Sequence, residues 1–154
     1  MEKNLLISYG STMNQDFMAK ICPGAEVTAK SWLHDYRLVF QGAMYPHASV
    51  IPEKGQSVPV LLWHITQQDE AALDNYNGIQ CGFYEKEYLP VKYNGEIVKA
   101  LAYTMKPREF GEPRDYYLEI IAQAYKDLNF PIAILNNALL YSKIFKKEEK
   151  ENAG

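Results

Sequence analysis

The stretch that decides the start of the fold is residues 4–13, Asn-Leu-Leu-Ile-Ser-Tyr-Gly-Ser-Thr-Met. Its apolar run predicts a short buried strand over residues 4–9, and the turn at 10–12 leads into a helix from about Asn14 to Ile21. A glycine turn between a strand and a helix can direct several backbone N–H groups at one small anion, such as a carboxylate. The same turn also occurs as an ordinary connection, so both interpretations stay open.

Beyond this helix the chain becomes rich in β-forming residues that are interrupted by turn residues. Four short strands are predicted, over Glu26 to Lys30, Tyr36 to Phe40, Ala48 to Ile51 and Val58 to Ile65. Several short strands in succession favour a small β-barrel.

A helix follows these strands. Thr66 and Asp69 have the spacing of a capping box, in which each residue satisfies a free N–H group at the helix start. We expect the helix to continue to Tyr76 and to end at Asn77-Gly78.

The second half of the chain predicts a hairpin and two helices. Two alternating segments, Phe83 to Tyr93 and Glu96 to Met105, are joined by Asn94-Gly95, which is typical of a type I′ turn. Pro113 and Pro131 can each open a helix, and we expect these to run to about Asn129 and Phe145. The fold class is therefore α+β, with one domain over residues 1–145 and a charged, disordered tail over 146–154.

Composition narrows the function classes. The chain has 154 residues and a net charge of -3, with 47% hydrophobic residues, which predicts one globular domain that needs no metal, disulfide or cofactor for stability. Lys and Arg are scattered, so nucleic acid is not an expected partner. No apolar run has the length of a signal peptide or a membrane span, so we expect a cytoplasmic protein without a membrane partner.

Histidine and cysteine chemistry gives weak signals. His34, His47 and His64 lie far apart and lack the i, i+4 spacing of a helical zinc pair, so no metal site is predicted. His64 is interpreted as a structural residue at a strand end. Cys22 and Cys81 lack a CxxC spacing and are expected to be reduced thiols. Cys81 precedes Gly82 and could be a nucleophile, but no Cys/His signature supports that interpretation.

The order of several sequence blocks is more specific than any one block. The chain contains Tyr9-Gly10-Ser11, then residues 36–40, 60–65, 73–78 and 82–84, and closes with Pro113, Tyr117 and Leu-Asn-Phe-Pro at 128–131. In this order it resembles the γ-glutamylcyclotransferase-like (AIG2-like) family over roughly residues 4–131. The resemblance implies a small mixed β-barrel with flanking helices and a cleft for a γ-glutamyl compound. It also implies a reaction without a cofactor, in which the free α-amine attacks the γ-carbonyl, closes 5-oxoproline and releases an amine.

The same resemblance assigns candidate site residues. The substrate-binding residues that it implies are Ile7, Ser8, Tyr9, Gly10, Ser11, Thr12 and Tyr117. Thr12 stands where the family usually has asparagine, and its hydroxyl can cap the following helix in place of that residue. Tyr117 could instead be a helix residue that packs on the barrel.

The largest departure from the family is Asn77, which stands at the position of the catalytic glutamate. An amide cannot take a proton at ordinary pH, so an acid–base contribution of about 10²- to 10⁴-fold should be missing. This favours a lost or changed activity over full retention. The carboxylates near this position in the sequence are Asp74, Glu85 and Glu87, and we expect the last two to be solvated.

Three hypotheses about function remain. The first is a γ-glutamylcyclotransferase-like enzyme that works weakly or uses another carboxylate. The second is a non-catalytic module that binds a small γ-glutamyl metabolite in the same cleft. The third is a structural or interaction protein, and a homodimer is left open for each.

Overall fold

The computed structural model describes residues 4–153, and the side chains of residues 4–146. Five strands and four helices follow one another as β1 (Asn4–Ser8), α1 (Gln15–Ile21), β2 (Glu26–Gln41), β3 (His47–Ile65), α2 (Gln67–Tyr76), β4 (Glu85–Tyr93), β5 (Glu96–Thr104), α3 (Asp115–Asp127) and α4 (Ile132–Ala153). A single 3₁₀ turn, Ser11–Met13, lies between β1 and α1. The predicted α+β class is confirmed.

The strands form one mixed sheet in the order β2-β3-β1-β5-β4. β1 is antiparallel to β3 and parallel to β5, and the other neighbours are antiparallel. The sheet is not closed, so the predicted barrel is corrected to an open sheet. Side chains of the two edge strands still meet: the Thr28 and Tyr93 hydroxyls are 2.9 Å apart, and Ser31 Oγ donates to the Lys92 carbonyl at 2.7 Å.

The four short strands predicted between residues 26 and 65 are two long strands, which is a second correction. β2 and β3 remain paired through register shifts at Val27/Ala29 and His34/Tyr36. Asp35 has a φ of 65° and Gly55 a φ of 88°. These two residues with left-handed backbone lie at the second irregularity, and the strands pair on both sides of it. A bulge inserts an extra residue while pairing continues on both sides.

The helix after β3 and the hairpin after it form as their sequences predict. Thr66 and Asp69 make the reciprocal capping box at the start of α2, with N–H···O distances of 3.2 and 2.9 Å. β4 and β5 pair throughout, and Asn94 and Gly95 both have positive φ, as a type I′ turn requires.

The C-terminal helices differ in length from the prediction. α3 ends at Asp127, and α4 continues to Ala153 rather than ending near Phe145. The helix therefore takes in the charged segment for which the sequence predicts disorder, while the division into a domain and a tail stays a prediction. α4 packs on β2, where Ser142 Oγ accepts the Phe40 N–H at 2.9 Å.

The core lies between the sheet and the helices, and β1 runs through its centre. Leu6 and Ile7 of β1 are buried together with Leu61 and Leu62 of β3 and with Leu101 of β5. Burial of these side chains fixes the end of β1, where the chain turns out of the sheet. Over residues 4–153, no helix combines the length and the apolar character that crossing a bilayer would require.

Candidate functional site

A cleft opens where β1 ends and the chain turns into Ser11–Met13. Its cavity volume, as the space open to the centre of a water-sized sphere, is about 40 Å³, and the space between its walls together with the adjoining solvent is about 390 Å³. Every site residue predicted from the sequence lines it: Ile7, Ser8, Tyr9, Gly10, Ser11, Thr12, Asn77 and Tyr117. The remaining lining residues were not predicted, and they are Leu6, Ala48, Leu73, Tyr84 and Tyr103.

The turn itself supplies backbone donors to the cleft. The N–H groups of Met13 and Asn14 donate to the carbonyls of Gly10 and Ser11, each at 3.0 Å. Within the described part of the chain, the N–H groups of Gly10, Ser11 and Thr12 donate to no protein acceptor. Consecutive N–H groups left free in a turn can hold a small anion.

Gly10 is required by a close approach of two segments. A Cβ atom at this position would lie 3.2 Å from Ala48 Cβ and 3.6 Å from the Tyr117 hydroxyl. Its φ of -123° is not in the left-handed region, so the observed reason for glycine here is the lack of space for a side chain.

The predicted cap by Thr12 is wrong. Asn14 caps α1, because its Oδ1 accepts the Phe17 N–H at 3.0 Å, while its Nδ2 donates to the Ile120 carbonyl at 3.1 Å. Thr12 Oγ1 instead donates to Ser8 Oγ at 2.9 Å. The cap therefore lies two residues further along the chain, after the 3₁₀ turn, and it ties α1 to α3.

Tyrosine hydroxyls hold the backbone around the cleft. Tyr84 donates to the Ala48 carbonyl at 2.5 Å, and Tyr117 accepts the Ala48 N–H at 2.9 Å. Tyr9 donates to the Tyr103 carbonyl. Burial raises the pKa of Tyr9, Tyr84 and Tyr117 far above the usual value, so these groups stay neutral at physiological pH.

Asn77 is buried beside the loop but makes no bond through its side chain to any residue from 4 to 146. It is 8% exposed and lines the same cleft as Gly10, Ser11 and Thr12. Its amide atoms are not among the fully buried polar atoms without a partner, so they are accessible from the cleft, where a ligand can form hydrogen bonds with them.

The end of α2 does not need an asparagine. The Ile79 N–H donates to the Asp74 carbonyl and the Gly78 N–H to the Asn75 carbonyl, which is the Schellman pattern. Gly78 has a φ of 63°, whereas Asn77 has a φ of -84°. The left-handed residue is therefore Gly78, and the backbone at position 77 suits other residues, including glutamate.

The carboxylates suggested by the sequence do not line the cleft. Asp74 accepts the Tyr103 hydroxyl at 2.7 Å and pairs with Lys86 Nζ at 3.0 Å, so it lies behind Tyr103. Glu87 is exposed, as expected, and Glu85 is half-buried. None of the three provides a free carboxylate next to Asn77.

Comparison with known proteins identifies the family. The family model described as gamma-glutamyl cyclotransferase, AIG2-like, matches residues 6–125, which is most of the chain. The chain belongs to this family. No curated protein sequence matches it significantly.

Solved structures share the fold of this cyclotransferase-family chain at low sequence identity. A gamma-glutamyl cyclotransferase has a TM-score of 0.78 at 22% identity, over 94% of this chain and 87% of that chain. An uncharacterised protein from Homo sapiens also has a TM-score of 0.78 at 22% identity, over 95% and 88%. YkqA from Bacillus subtilis has a TM-score of 0.68 at 18% identity, over 82% of this chain and 49% of that chain.

The cyclotransferase-family cleft has a second compartment that the sequence did not predict. It shares Ser11, Asn77, Tyr84 and Tyr117 with the first and adds His47, Tyr76 and Phe83. Beyond it, an aromatic groove is lined by Phe17, Tyr45, Pro46, His47, Tyr76, Arg114, Tyr116, Tyr117 and Ile120. From the sequence alone, His47 is considered only as a candidate metal ligand. The only sequence feature that marks it is its position after Tyr45-Pro46, at the start of β3.

The cysteines lie away from this constellation. Both are free thiols; Cys22 is buried and Cys81 is exposed in the turn after α2. Burial raises the pKa of Cys22 to about 11, so its thiol stays protonated. Neither cysteine lines either compartment of the cleft.

Proposed function

We propose that the cleft binds a γ-glutamyl compound and that the chain is a cyclotransferase slower than members with glutamate at position 77. The observation that carries the proposal is the unpartnered amide of Asn77, which is more than nine-tenths buried and lines the same cleft as the free N–H groups of residues 10–12. A ligand with a carboxylate and an adjacent amine would satisfy both sides of this cleft.

Each of the two charged groups on the α-carbon of the γ-glutamyl unit has a matching group in the cleft. The α-carboxylate accepts hydrogen bonds from the N–H groups of Gly10, Ser11 and Thr12, because charged acceptors make the strongest bonds to backbone donors. Asn77 Oδ1 accepts a hydrogen bond from the α-ammonium group. These contacts hold the amine beside the γ-carbonyl of its own side chain.

The reaction needs little beyond this conformation and one proton transfer. The amine and the carbonyl belong to one molecule, so binding it in the folded form supplies most of the advantage of proximity. The α-amine has an ordinary pKa of about 8 and is mostly protonated at neutral pH, so its proton must leave before it attacks. Asn77 can orient the amine but cannot take that proton, which is the reason for the lower rate.

The second candidate function is a binding module that has lost catalysis. Asn77 favours it, because the amide retains the hydrogen bond to the amine while it removes the carboxylate of the family. Both candidates bind the same ligand in the same cleft, and they differ only in turnover.

Two measurements on one panel of γ-glutamyl amines and γ-glutamyl dipeptides test the proposal. Ligand-induced stabilisation reports binding, and at 100 times Kd it adds about 2.7 kcal/mol to the free energy of unfolding. Release of 5-oxoproline reports turnover. The control ligands are the matching butyryl compounds, which lack both the α-carboxylate and the α-amine.

The outcomes separate the candidates. Stabilisation with slow release of 5-oxoproline supports the cyclotransferase, and stabilisation without release supports the binding module. If the γ-glutamyl compounds stabilise the protein no more than the control ligands do, both functions are rejected.

A further inference from the structure

His47 lies where the two compartments of the cleft and the aromatic groove meet. It lines the second compartment together with Asn77 and Ser11, and it lines the groove together with Tyr76 and Tyr117. Its ring packs between the rings of Phe83 and Tyr117, at centroid distances of 5.1 and 4.6 Å. The imidazole is therefore held in place between the second compartment, which Asn77 also lines, and the aromatic groove.

The hydrogen bond of His47 defines which ring nitrogen carries the proton. Nδ1 lies 2.6 Å from the Tyr45 carbonyl oxygen, which can only accept, so Nδ1 is the donor. In the neutral ring, Nε2 then carries the lone pair. A backbone carbonyl on one nitrogen is a common way to make the other nitrogen the base.

Other groups that line the two compartments cannot take a proton at neutral pH. Apart from His47, the polar side chains there are Ser8, Ser11, Thr12, Asn77 and tyrosines. Hydroxyls and amides are not basic in this range, and the Asp74 carboxylate, which lines neither compartment, is held by Tyr103 and Lys86. Among the described residues, His47 alone has the chemistry of a general base in this cleft.

We propose that His47 is the catalytic proton carrier that takes over the role for which Asn77 is unsuited; this inference rests on the proposed function. Nε2 removes one proton from the α-ammonium group of the bound γ-glutamyl unit. The amine lone pair then attacks the γ-carbonyl carbon, and the new C–N bond closes the five-membered ring. The bond from that carbon to the leaving nitrogen breaks, and the imidazolium returns its proton to this nitrogen. Nε2 then takes the second surplus proton from the new ring nitrogen and passes it to the released amine. The products are 5-oxoproline and the protonated amine, with no co-reactant consumed.

The position of His47 suits both proton transfers. The first occurs on the side of Asn77, and the second on the side of the groove, where the leaving amine would lie. An aspartate or a glutamate at the same junction would be poorly solvated between two aromatic rings, whereas a neutral imidazole packs there without a charge.

The groups around His47 also favour the neutral base. Burial lowers the pKa of His47, and this outweighs the opposing effect of the hydrogen bond to the Tyr45 carbonyl. The titratable or charged groups that share its two cavities are Tyr45, Tyr76, Tyr84, Tyr116, Tyr117 and Arg114. None of these groups is an anion at neutral pH, so none of them raises the pKa of the His47 ring.

Four proteins test the inference: the natural chain, His47→Gln, Asn77→Glu and the double variant. The matched control is His64→Gln, because His64 lies at the far end of β3, where Nε2 is 3.2 Å from the Tyr93 hydroxyl. Turnover is measured as release of 5-oxoproline from pH 5 to 9, and binding as ligand-induced stabilisation. Glutamine removes the basic ring nitrogen, and thermal unfolding of each variant without ligand checks that the fold is retained.

The expected result is a fall of about 10²- to 10⁴-fold in kcat for His47→Gln, with ligand-induced stabilisation unchanged and the control fully active. The rate of the natural chain falls at acid pH as Nε2 becomes protonated, whereas the residual rate of His47→Gln follows only the ionisation of the substrate's α-amine, whose ordinary pKa is about 8. In the Asn77→Glu background the effect of His47→Gln shrinks to less than threefold, since a carboxylate again carries the proton.

Several results would overturn the inference. They are an unchanged kcat or pH profile in His47→Gln, an equal loss of kcat in both backgrounds, or a loss of ligand binding together with the rate. A natural chain that binds the ligand without any turnover also overturns it but leaves binding in place. A natural chain that does not bind the ligand instead overturns the proposed function.

Discussion

The two walls of the cleft are built in different ways. On the wall formed by residues 10–12, the groups that face a ligand are backbone N–H groups, which every residue except proline possesses. On the opposite wall the groups are side chains, Asn77 at the end of α2 and His47 at the start of β3. A change of side chain that fits the available space therefore leaves the donors of the first wall in place, as Thr12 illustrates, whereas one substitution on the second wall can remove or relocate the chemistry.

The largest effect should come from filling the backbone wall. Gly10→Val places a branched side chain against Ala48 and Tyr117, where even a Cβ atom would lie 3.2 and 3.6 Å from its neighbours. We expect the ligand-induced stabilisation of about 2.7 kcal/mol at 100 times Kd to disappear. The overpacked protein itself should lose about 1–3 kcal/mol of stability.

Gly24→Val is the matched control for this substitution, because no atom lies within 4 Å of a Cβ at position 24. Thermal unfolding with and without a γ-glutamyl ligand compares the two variants. If Gly10→Val binds as well as Gly24→Val does, the turn at residues 10–12 is not the anion site.

The next largest effect should come from the side-chain wall. Asn77→Glu is expected to raise the release of 5-oxoproline at least tenfold, since it restores a proton carrier within a range of about 10²- to 10⁴-fold. The fold should tolerate the change, because the left-handed residue is Gly78.

Asn75→Glu, which adds the same charge two residues earlier at an exposed position of α2, is the control and should leave the rate unchanged. Equal rates in Asn77→Glu and the natural chain would mean that the cleft does not accept a carboxylate there as a base. A lower rate would mean that the Asn77 amide itself has a role in catalysis.

A smaller effect concerns stability and pH. Burial lowers the pKa of His47 in the folded protein below its usual value near 6.5, so the unfolded chain binds the proton more readily than the folded one. Its contribution to stability is present above pH 6.5 and is lost as the pH falls through the folded-state pKa. Urea unfolding between pH 7.5 and 5 should therefore show a shallower loss of stability in His47→Gln than in the natural chain. A loss just as steep in the variant would show that His47 is not held neutral.

The smallest effect is expected from spontaneous deamidation, which has two comparable sites in this chain. Asn77-Gly78 and Asn94-Gly95 both place an asparagine before a glycine, where the next backbone nitrogen can attack the side-chain amide. At Asn77 this nitrogen donates to the Asn75 carbonyl at 3.2 Å in a buried turn, whereas Asn94 is exposed at the tip of the hairpin. Peptide mapping of aged protein should find aspartate or isoaspartate first at position 94, with little change in activity.

Faster modification at position 77 would contradict this view of a locked turn. It would also place a carboxylate at the family's catalytic position, one methylene short or displaced along the backbone. Activity that stays constant while position 77 deamidates would show that a carboxylate there is not sufficient. Catalytic geometry is sensitive to displacements of about 1 Å, so at most partial activation is expected.

Elements with local signals were predictable from the sequence. The capping box of Thr66 and Asp69 and the Asn94-Gly95 turn depend on a few neighbouring residues, and both form as expected. The two long strands were not predictable, because Asp35 and Gly55 have the residue types of turns. Only the pairing of β2 with β3 on both sides of these residues shows that they interrupt one long strand pair without ending it.

The site also contains residues that the sequence indicated and residues that it did not. The resemblance to the family located the residues that line the cleft, and the geometry brings all of them together. His47 was missed because its position beside Asn77 results from packing between β3, α3 and the turn before β4, and no spacing in the sequence encodes that. The cap by Asn14 was missed because an unpredicted 3₁₀ turn moves the start of α1.

The two tyrosine hydroxyls that bond to the backbone of Ala48 have a consequence for the behaviour of the protein in concentrated solution. β1 pairs with β3 only from Leu61 onward, so the first part of β3 has a neighbouring strand on one side only. An open strand edge of this kind is a template on which another molecule can add a strand and begin to aggregate. Tyr84 and Tyr117 occupy both backbone groups of Ala48, and Ser49 Oγ accepts the Met105 N–H at 3.0 Å. The edge is thus closed to a foreign strand and remains open to a small molecule.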